Sequence, residues 1–424
     1  MPITPSPLTR RTALAGGLGL TAAALGACTP GGSPAADDSA ASDGGGDGGP
    51  LTLWHYYGGA ATAPLEALIQ RYTEETGTEV EVRFIPFGDF NRTLLQAATG
   101  DDLPDIALIN AFDTALFAGS DMLTDLSDRV GDWGEQDAYA AGPWDTTQVG
   151  GATFALPHVA DTYALWTNTT ALSAAGTQAP STWQETEEAA IAAAGDGSYG
   201  LAFCGITGVE GATSWMLRFL AAGGDLTAPD SDAGTAAMES FTRMLEGNGF
   251  SEGVLTWNED DTYTQFRTEA AAMMINSASY LTSLAEEAPD LEVEIVPMPA
   301  DAEPVSWLSA ENLTITRGAS DPDAAWELIV WMQRPEVMND YLPERNKLPV
   351  RTDIAEDTQW QDPVKKVFID QLEIAWAPEE SVAPASAEIF TAVQLAMQSV
   401  LSGAASTEDA LATLQVTTDK ALTE

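Results

Sequence analysis

The stretch Phe154-Ala-Leu-Pro-His-Val-Ala-Asp-Thr-Tyr-Ala-Leu-Trp-Thr-Asn168 decides how the rest of the chain is read. It is rich in β-branched and aromatic residues, but its alternation breaks at Pro157, His158 and Asp161. Proline offers no backbone N–H, so Pro157 belongs at the start or edge of a strand. The stretch reads as an extended crossover that leaves one α/β half, bends, and enters the next. A backbone shared by two halves is a hinge, and His158 and Asp161 on it would face whatever lies between them. An ordinary strand with a satisfied edge aspartate is the alternative.

Upstream of the crossover, residues 51–57 are an apolar, aromatic strand closed by Gly58-Gly59. Residues 64–76 place Leu65, Leu68, Ile69 and Tyr72 on one helical face, and Gly77 stops the helix. Val80, Val82 and Phe84 alternate with charged residues in a second strand ending at Pro86. A helix over 91–99 and a strand over 106–109 complete a doubly wound unit with a parallel sheet. Ligands bind such sheets beyond the carboxyl ends of the strands, which puts residues 55–57, 87–90 and 110–113 on one rim.

Downstream the pattern restarts. Residues 181–185 look like a helix cap whose box glutamate is shifted by one, and 199–203 form a short strand. Helices follow over 210–222 and 233–245, then strands over 270–276 and 291–296. Residues 307–316 return as a second crossing strand, followed by a helix over 321–332. Residues 345–350 are irregular, and helices over 363–374, 387–401 and 407–417 close the chain. The two crossings divide the body into residues 51–160 plus 310–353 and residues 161–309 plus 354–424.

The first residues belong to export rather than to the fold. Arg10-Arg11 precedes an uncharged run ending in small residues, so 1–27 reads as a signal peptide, too short and weakly apolar to span a bilayer. The arginine pair suggests the twin-arginine route; Ala13, where a bulky apolar residue is usual, keeps the general route open. Leu25-Gly26-Ala27-Cys28 resembles a lipobox, whose cysteine is acylated, and 28–50 is a solvated Gly/Ser/Ala/Asp tether. The body is thus expected on the outer face of the cell membrane, held by lipid alone. Cys204, left without a partner, is expected to be a buried inert thiol. A net charge of −47 repels nucleic acid and anionic lipid.

The body resembles the extracellular solute-binding proteins of ABC importers, the large family that includes maltose-binding protein. The resemblance rests on ordered landmarks: Gly100-Asp-Asp-Leu-Pro-Asp105, Ala155-Leu-Pro157, Pro180-Ser-Thr-Trp183, Ala221-Ala-Gly-Gly224, Asp323-Ala-Ala-Trp326 and Leu348-Pro-Val-Arg-Thr-Asp353. It implies a two-lobed periplasmic-binding-protein-like α/β fold that closes on a ligand in the cleft and docks an ABC permease. A sugar, a di- or oligosaccharide, is the implied ligand, held by a monomer with no cofactor, metal or catalysis. The resemblance places the site on His55, Tyr56, Tyr57, Phe112, Asp113, Asp161, Glu210, Trp215, Ser279, Tyr280 and Phe390. Where maltose-type members favour a tryptophan, this chain has Ser279 beside Tyr280, so maltose itself is not implied.

Sugar chemistry adds to that set. Apolar C–H faces need flat rings, and the hydroxyls around them need charged or amide partners. Trp307, His158, Glu311, Asn312 and Arg345 join on those grounds, with Glu311 equally able to pair with Arg345 as structure. Each aromatic is as fit for core packing as for stacking on a sugar, and Trp183, Trp326 and Trp331 fall on helices as core. Two rivals stay open. One is a glycan-active enzyme with paired carboxylates, which 64 acidic residues make unspecific. The other is a receptor for a polyamine or other non-sugar solute; two histidines and no cysteine cluster disfavour a transition metal.

Overall fold

The computed structural model describes residues 49–195 and 197–423. The expected signal, Cys28 and nearly all of the tether lie outside those residues. Among the described residues no helix is long and apolar enough to cross a membrane.

Strands β1 (Leu51–His55), β2 (Val80–Phe84) and β3 (Ile106–Asn110) are parallel, β1 lying between the other two. The helix Thr62–Thr76 buries Leu65, Leu68, Ile69 and Tyr72 and ends at Gly77, whose φ of +81° suits glycine. Asp105 locks this unit together. One carboxylate oxygen accepts from the amide and hydroxyl of Thr52, the other from the amide and hydroxyl of Ser320. A short ribbon, β4 (Gln148–Val149) and β5 (Ala152–Thr153), precedes the crossover.

The crossover is β6 (Leu156–Asn168), thirteen residues, every one buried. The remaining strands are β7 (Tyr199–Ala202), β8 (Ala271–Ser277), β9 (Val293–Val296), β10 (Ser306–Ile315) and β11 (Ala375–Trp376). One sheet runs β2-β1-β3-β10-β6-β8-β7, with β9 pairing β6 and β11 pairing β10. The first half of β6 pairs with β10, and its second half pairs with β8 and β9. Likewise β10 meets β6 over its earlier residues and β3 over its later ones. Both strands therefore belong to two sub-sheets. Beyond β6 the helix Thr213–Ala221, buried at every position, anchors a core with Asp232–Glu246, Ser386–Leu401 and Thr407–Ala421.

Several elements differ from expectation. The helix expected to start at Asn91 starts at Phe87, directly after Pro86, with Asp89 in its first turn favouring the helix N-terminus. Thr182, not Ser181, is the cap of Trp183–Ala192, so Glu185 stands at the third helical position in an unshifted capping box. Residues 335–344, unassigned from sequence, form the helix Pro335–Glu344; Pro343 in its last turn cannot donate to the Asn339 carbonyl, which accepts from the Gln359 side chain instead. Cys204 is buried, its thiol against Glu210, and burial pushes its pKa up.

Pro157 pairs with Asn312 and Val159 with Glu311, so the ladder slips at His158, beside the residue that cannot donate. His158 is fully buried, stacked on Tyr341 at 5.2 Å, and neither ring nitrogen has a partner among the described residues. Burial, with help from the Arg345 charge, lowers its pKa to about 3. The unfolded chain takes up this proton near 6.5, so the native state loses stability as pH falls from there towards 3. His158→Phe keeps the stacking face and removes the titration. Its melting temperature is expected to exceed the parent's by a margin that widens between pH 8 and pH 5. A margin independent of pH would clear His158 of any part in acid sensitivity.

Candidate functional site

A cavity of about 300 Å³ opens where the end of β3 and the start of β10 meet the middle of β6. Three consecutive residues of β10, Trp307, Leu308 and Ser309, line it, and Tyr163 comes from β6. Asn110 ends β3, and the turn after it supplies Phe112 and Asp113. The Asn110 side chain accepts from the Phe112 amide and so fixes that turn. Across the cavity lie Glu210 and Thr213, the first residue of Glu259–Arg267, and Ser386 and Phe390 of the late helix.

Aromatic rings cluster along the lining, with Trp376 packed behind Trp307. Trp307 meets Phe112 at 5.7 Å, Phe390 at 5.4 Å and Trp376 at 5.3 Å between ring centroids. Trp307, Phe390 and Tyr163 are buried, whereas Phe87 is 59% exposed at the mouth. Carboxylates supply the polar part. Asp113 accepts from Asn91 at 2.8 Å, and burial raises its pKa to about 6. Glu259 accepts from the Tyr163 hydroxyl, and its backbone amide donates to exposed Glu210 at 3.1 Å. Burial raises Glu259 to about 7, against the pull of the Lys347 charge. Among the described residues no Lys, Arg or His lines the cavity.

Of the residues expected at the site, Phe112, Asp113, Glu210, Trp307 and Phe390 line this cavity. A second group gathers around the crossover strand β6 instead. Asp161, fully buried, accepts from the amides of Thr162, Ala278 and Ser279 and from the Ser279 hydroxyl, with Lys347 Nζ at 3.5 Å. Burial pulls Lys347 down, but the charges of Asp161 and Glu311 hold it above its ordinary pKa. The expected alternative of a Glu311–Arg345 ion pair is not formed. Arg345 lies 3.5 Å over the Tyr57 ring and donates to the Tyr341 hydroxyl, while one oxygen of Glu311 is left unpartnered, its carboxyl raised by burial.

The others scatter. The His55 ring accepts from the Tyr57 amide, and Tyr56 packs edge-on against Phe87 and Phe90. Trp215 is fully buried against Phe219 at 4.8 Å in the second core. Tyr280 stacks on Tyr263 and donates to Asp260; Asn312 donates to Thr114 and Thr146. The sequence reading missed Tyr163 and Glu259. Tyr163 shares strand parity with Asp161, a usable signal; Glu259 starts a capped helix, and nothing local aims it at a cavity.

A family model described as bacterial extracellular solute-binding protein matches residues 58–339. No curated protein sequence matches the chain. Among solved structures, the chain is similar to the GacH receptor of Streptomyces glaucescens GLA.O, studied unliganded and with acarbose. That match has a TM-score of 0.77 and 24% identity over 88% of this chain and 98% of the other. Maltose-bound MalE3 of T. maritima matches with a TM-score of 0.77 and 20% identity, covering 87% and 99%. UgpB from Mycobacterium tuberculosis, in complex with glycerophosphocholine, matches with 0.76 and 21%, covering 89% and 99%. The architecture is that of these two-lobed α/β structures.

Proposed function

The chain belongs to the bacterial extracellular solute-binding protein family, and from that premise we propose that it captures a sugar and delivers it to an ABC permease. The observation that carries the reading is one cavity combining the rings of Phe112, Trp307 and Phe390 with the carboxylates of Asp113, Glu210 and Glu259. Rings cover the apolar faces of a pyranose, and carboxylates accept from its hydroxyls. The volume lies at the low end of the ~300–1,000 Å³ usual for small-molecule sites, which favours one or two sugar rings. A cavity without cationic lining in a chain of net charge −47 speaks against a phosphorylated ligand. The two lobes are residues 51–160 plus 310–353 and residues 161–309 plus 354–424, hinged at 156–161 and 309–312. A ligand touching both lobes favours the closed state, because only a difference in interaction between states shifts their balance. Cys28 carries the lipid that holds the protein at the outer face of the cell membrane.

One experiment joins these parts. Cys28→Ser is expected to appear in the medium rather than with membranes, and a panel of mono- and disaccharides is screened against it by thermal shift. A binding sugar adds about 3–4 kcal/mol of stability at 100- to 1,000-fold its Kd, and the melting temperature rises with it. The same sugar is expected to lower the radius of gyration in small-angle scattering. No shift with any sugar removes the sugar reading, and a Ser variant still held by membranes removes the anchor.

A further inference from the structure

The helix Pro335–Glu344 ends in a way that aims two side chains across the lobe boundary. Asn346 takes the left-handed conformation that closes a helix, with φ +50°, which asparagine tolerates better than most residues. The amides of Asn346 and Lys347 turn back to the carbonyls of Pro343 and Leu342 at 3.1 and 3.0 Å. The next amide, of Leu348, leaves the helix and donates to the Ala160 carbonyl of β6 at 2.9 Å. The backbone of 346–348 is thus tied at both ends, which gives the side chains between them a set direction.

Both side chains reach the segment after β8. Asn346 accepts from the Thr282 hydroxyl at 2.5 Å, and Lys347 donates to the Ser279 hydroxyl at 3.3 Å with the Asp161 carboxylate 3.5 Å away. Ser279 lies in the turn Ala278–Tyr280 and Thr282 in the helix Leu281–Glu287. Resting on the division into lobes given under the proposed function, Ser279 and Thr282 belong to one lobe and Asn346 and Lys347 to the other. We infer that Asn346 and Lys347 form a latch, tying the two lobes together beside the cavity and biasing the protein toward its closed form.

The landing point of the latch is rigid. Asp161 holds the turn Ala278–Tyr280 to β6 through the amides of Ala278 and Ser279 and the Ser279 hydroxyl. The ammonium that docks there is well kept: carboxylates on three elements act on it, Asp161 of β6, Glu311 of β10 and Glu259 of the helix Glu259–Arg267, and hold it charged against the pull of burial. Glu259 also lines the cavity, so the latch stands directly behind the binding wall. A hydrogen bond from a charged donor is the stronger strut, and a neutral one the weaker. Losing the first shifts the balance of open and closed forms by about tenfold, and losing the second by roughly several-fold. These bonds join groups of the chain itself, so they act before any ligand arrives. They supply part of the closure that a ligand would otherwise have to drive.

The test is small-angle scattering and hydrogen exchange on the full chain at pH 7, with no ligand added. Lys347→Met keeps the side-chain stem and removes the ammonium. Asn346→Gly keeps the left-handed backbone and removes the acceptor, and Thr282→Val removes the donor at nearly constant shape. Each variant is expected to have a larger radius of gyration than the parent, Lys347→Met the largest. In Lys347→Met the Ser279 and Leu348 amides are expected to exchange about tenfold faster, while those of Leu53 on β1 and Met273 on β8 keep the parent's rates. A general loss of stability would speed all four and leave the radius of the folded protein unchanged, and that outcome overturns the latch. Asn346→Gly and Thr282→Val remove the same bond, so the double variant is expected to open no further than either single one; additive opening overturns that strut. Should Lys347→Met fail to fold, the Asn346 and Thr282 variants decide, and the parent's radius in both overturns the inference. Because no ligand enters, its failure leaves the sugar reading standing, and silence from every sugar leaves the latch standing.

Discussion

Asp161→Ala is expected to destabilise the protein by about 3–5 kcal/mol, the range for breaking a buried ion pair by removing one partner. Asp161 has no exposed surface, and its carboxylate collects four hydrogen bonds, three of them from backbone amides of β6 and of the turn after β8. Alanine leaves those donors unmet and leaves Lys347, with only 15% of its side chain exposed, without the carboxylate 3.5 Å away. The unmet cation accounts for much of the cost, so Asp161→Ala with Lys347→Met is expected to recover part of it. The comparison is by urea unfolding at pH 7. A single variant with the parent's midpoint would show that the cluster around Asp161 contributes little. Because Asp161 is consumed by the protein around it, its effect on ligand affinity is expected to come through the placement of β6 rather than through contact.

The contrast between Asp161 and its neighbour Tyr163 shows what the sequence could and could not say. Both lie on one face of β6, and the crossover itself was legible from its length, its β-branched content and the proline near its start. Local pattern also placed the helix Thr62–Thr76 and its buried face, and the turn that carries Phe112 and Asp113. Parity put Asp161 and Tyr163 together, yet the turn Ala278–Tyr280 covers one while the other reaches the cavity. That difference is made by a segment more than a hundred residues away. Trp215 fails for the same reason: a helix buried on every side carries no stripe to say which ring faces a ligand. Glu259 begins a helix capped by Asn258 that the sequence reading left unassigned, and its meeting with Tyr163 depends on how two strands and a helix dock.

Trp307→Ala is expected to abolish most binding, weakening affinity by about 2–4 kcal/mol for a ring at the centre of a cavity. It is also expected to cost about 3–5 kcal/mol of stability, since the ring is 6% exposed and truncation leaves a void among Phe112, Trp376 and Phe390. The two effects have different sources and can be separated. Trp307 begins the crossing strand, and its backbone pairs with Trp376 of β11, so the ring props the end of β10 as well as flooring the cavity. Trp307→Phe retains most of the packing but offers a smaller, less electron-rich face. It is expected to regain at least half of the lost stability while affinity stays several-fold below the parent. Calorimetry with the tightest sugar of the panel and thermal unfolding on the same samples read the two quantities independently. Full recovery of affinity in the Phe variant would assign Trp307 to packing alone and pass the role of platform to Phe112 or Phe390. Affinity that stays low while stability returns fixes the indole as the surface on which the ligand rests.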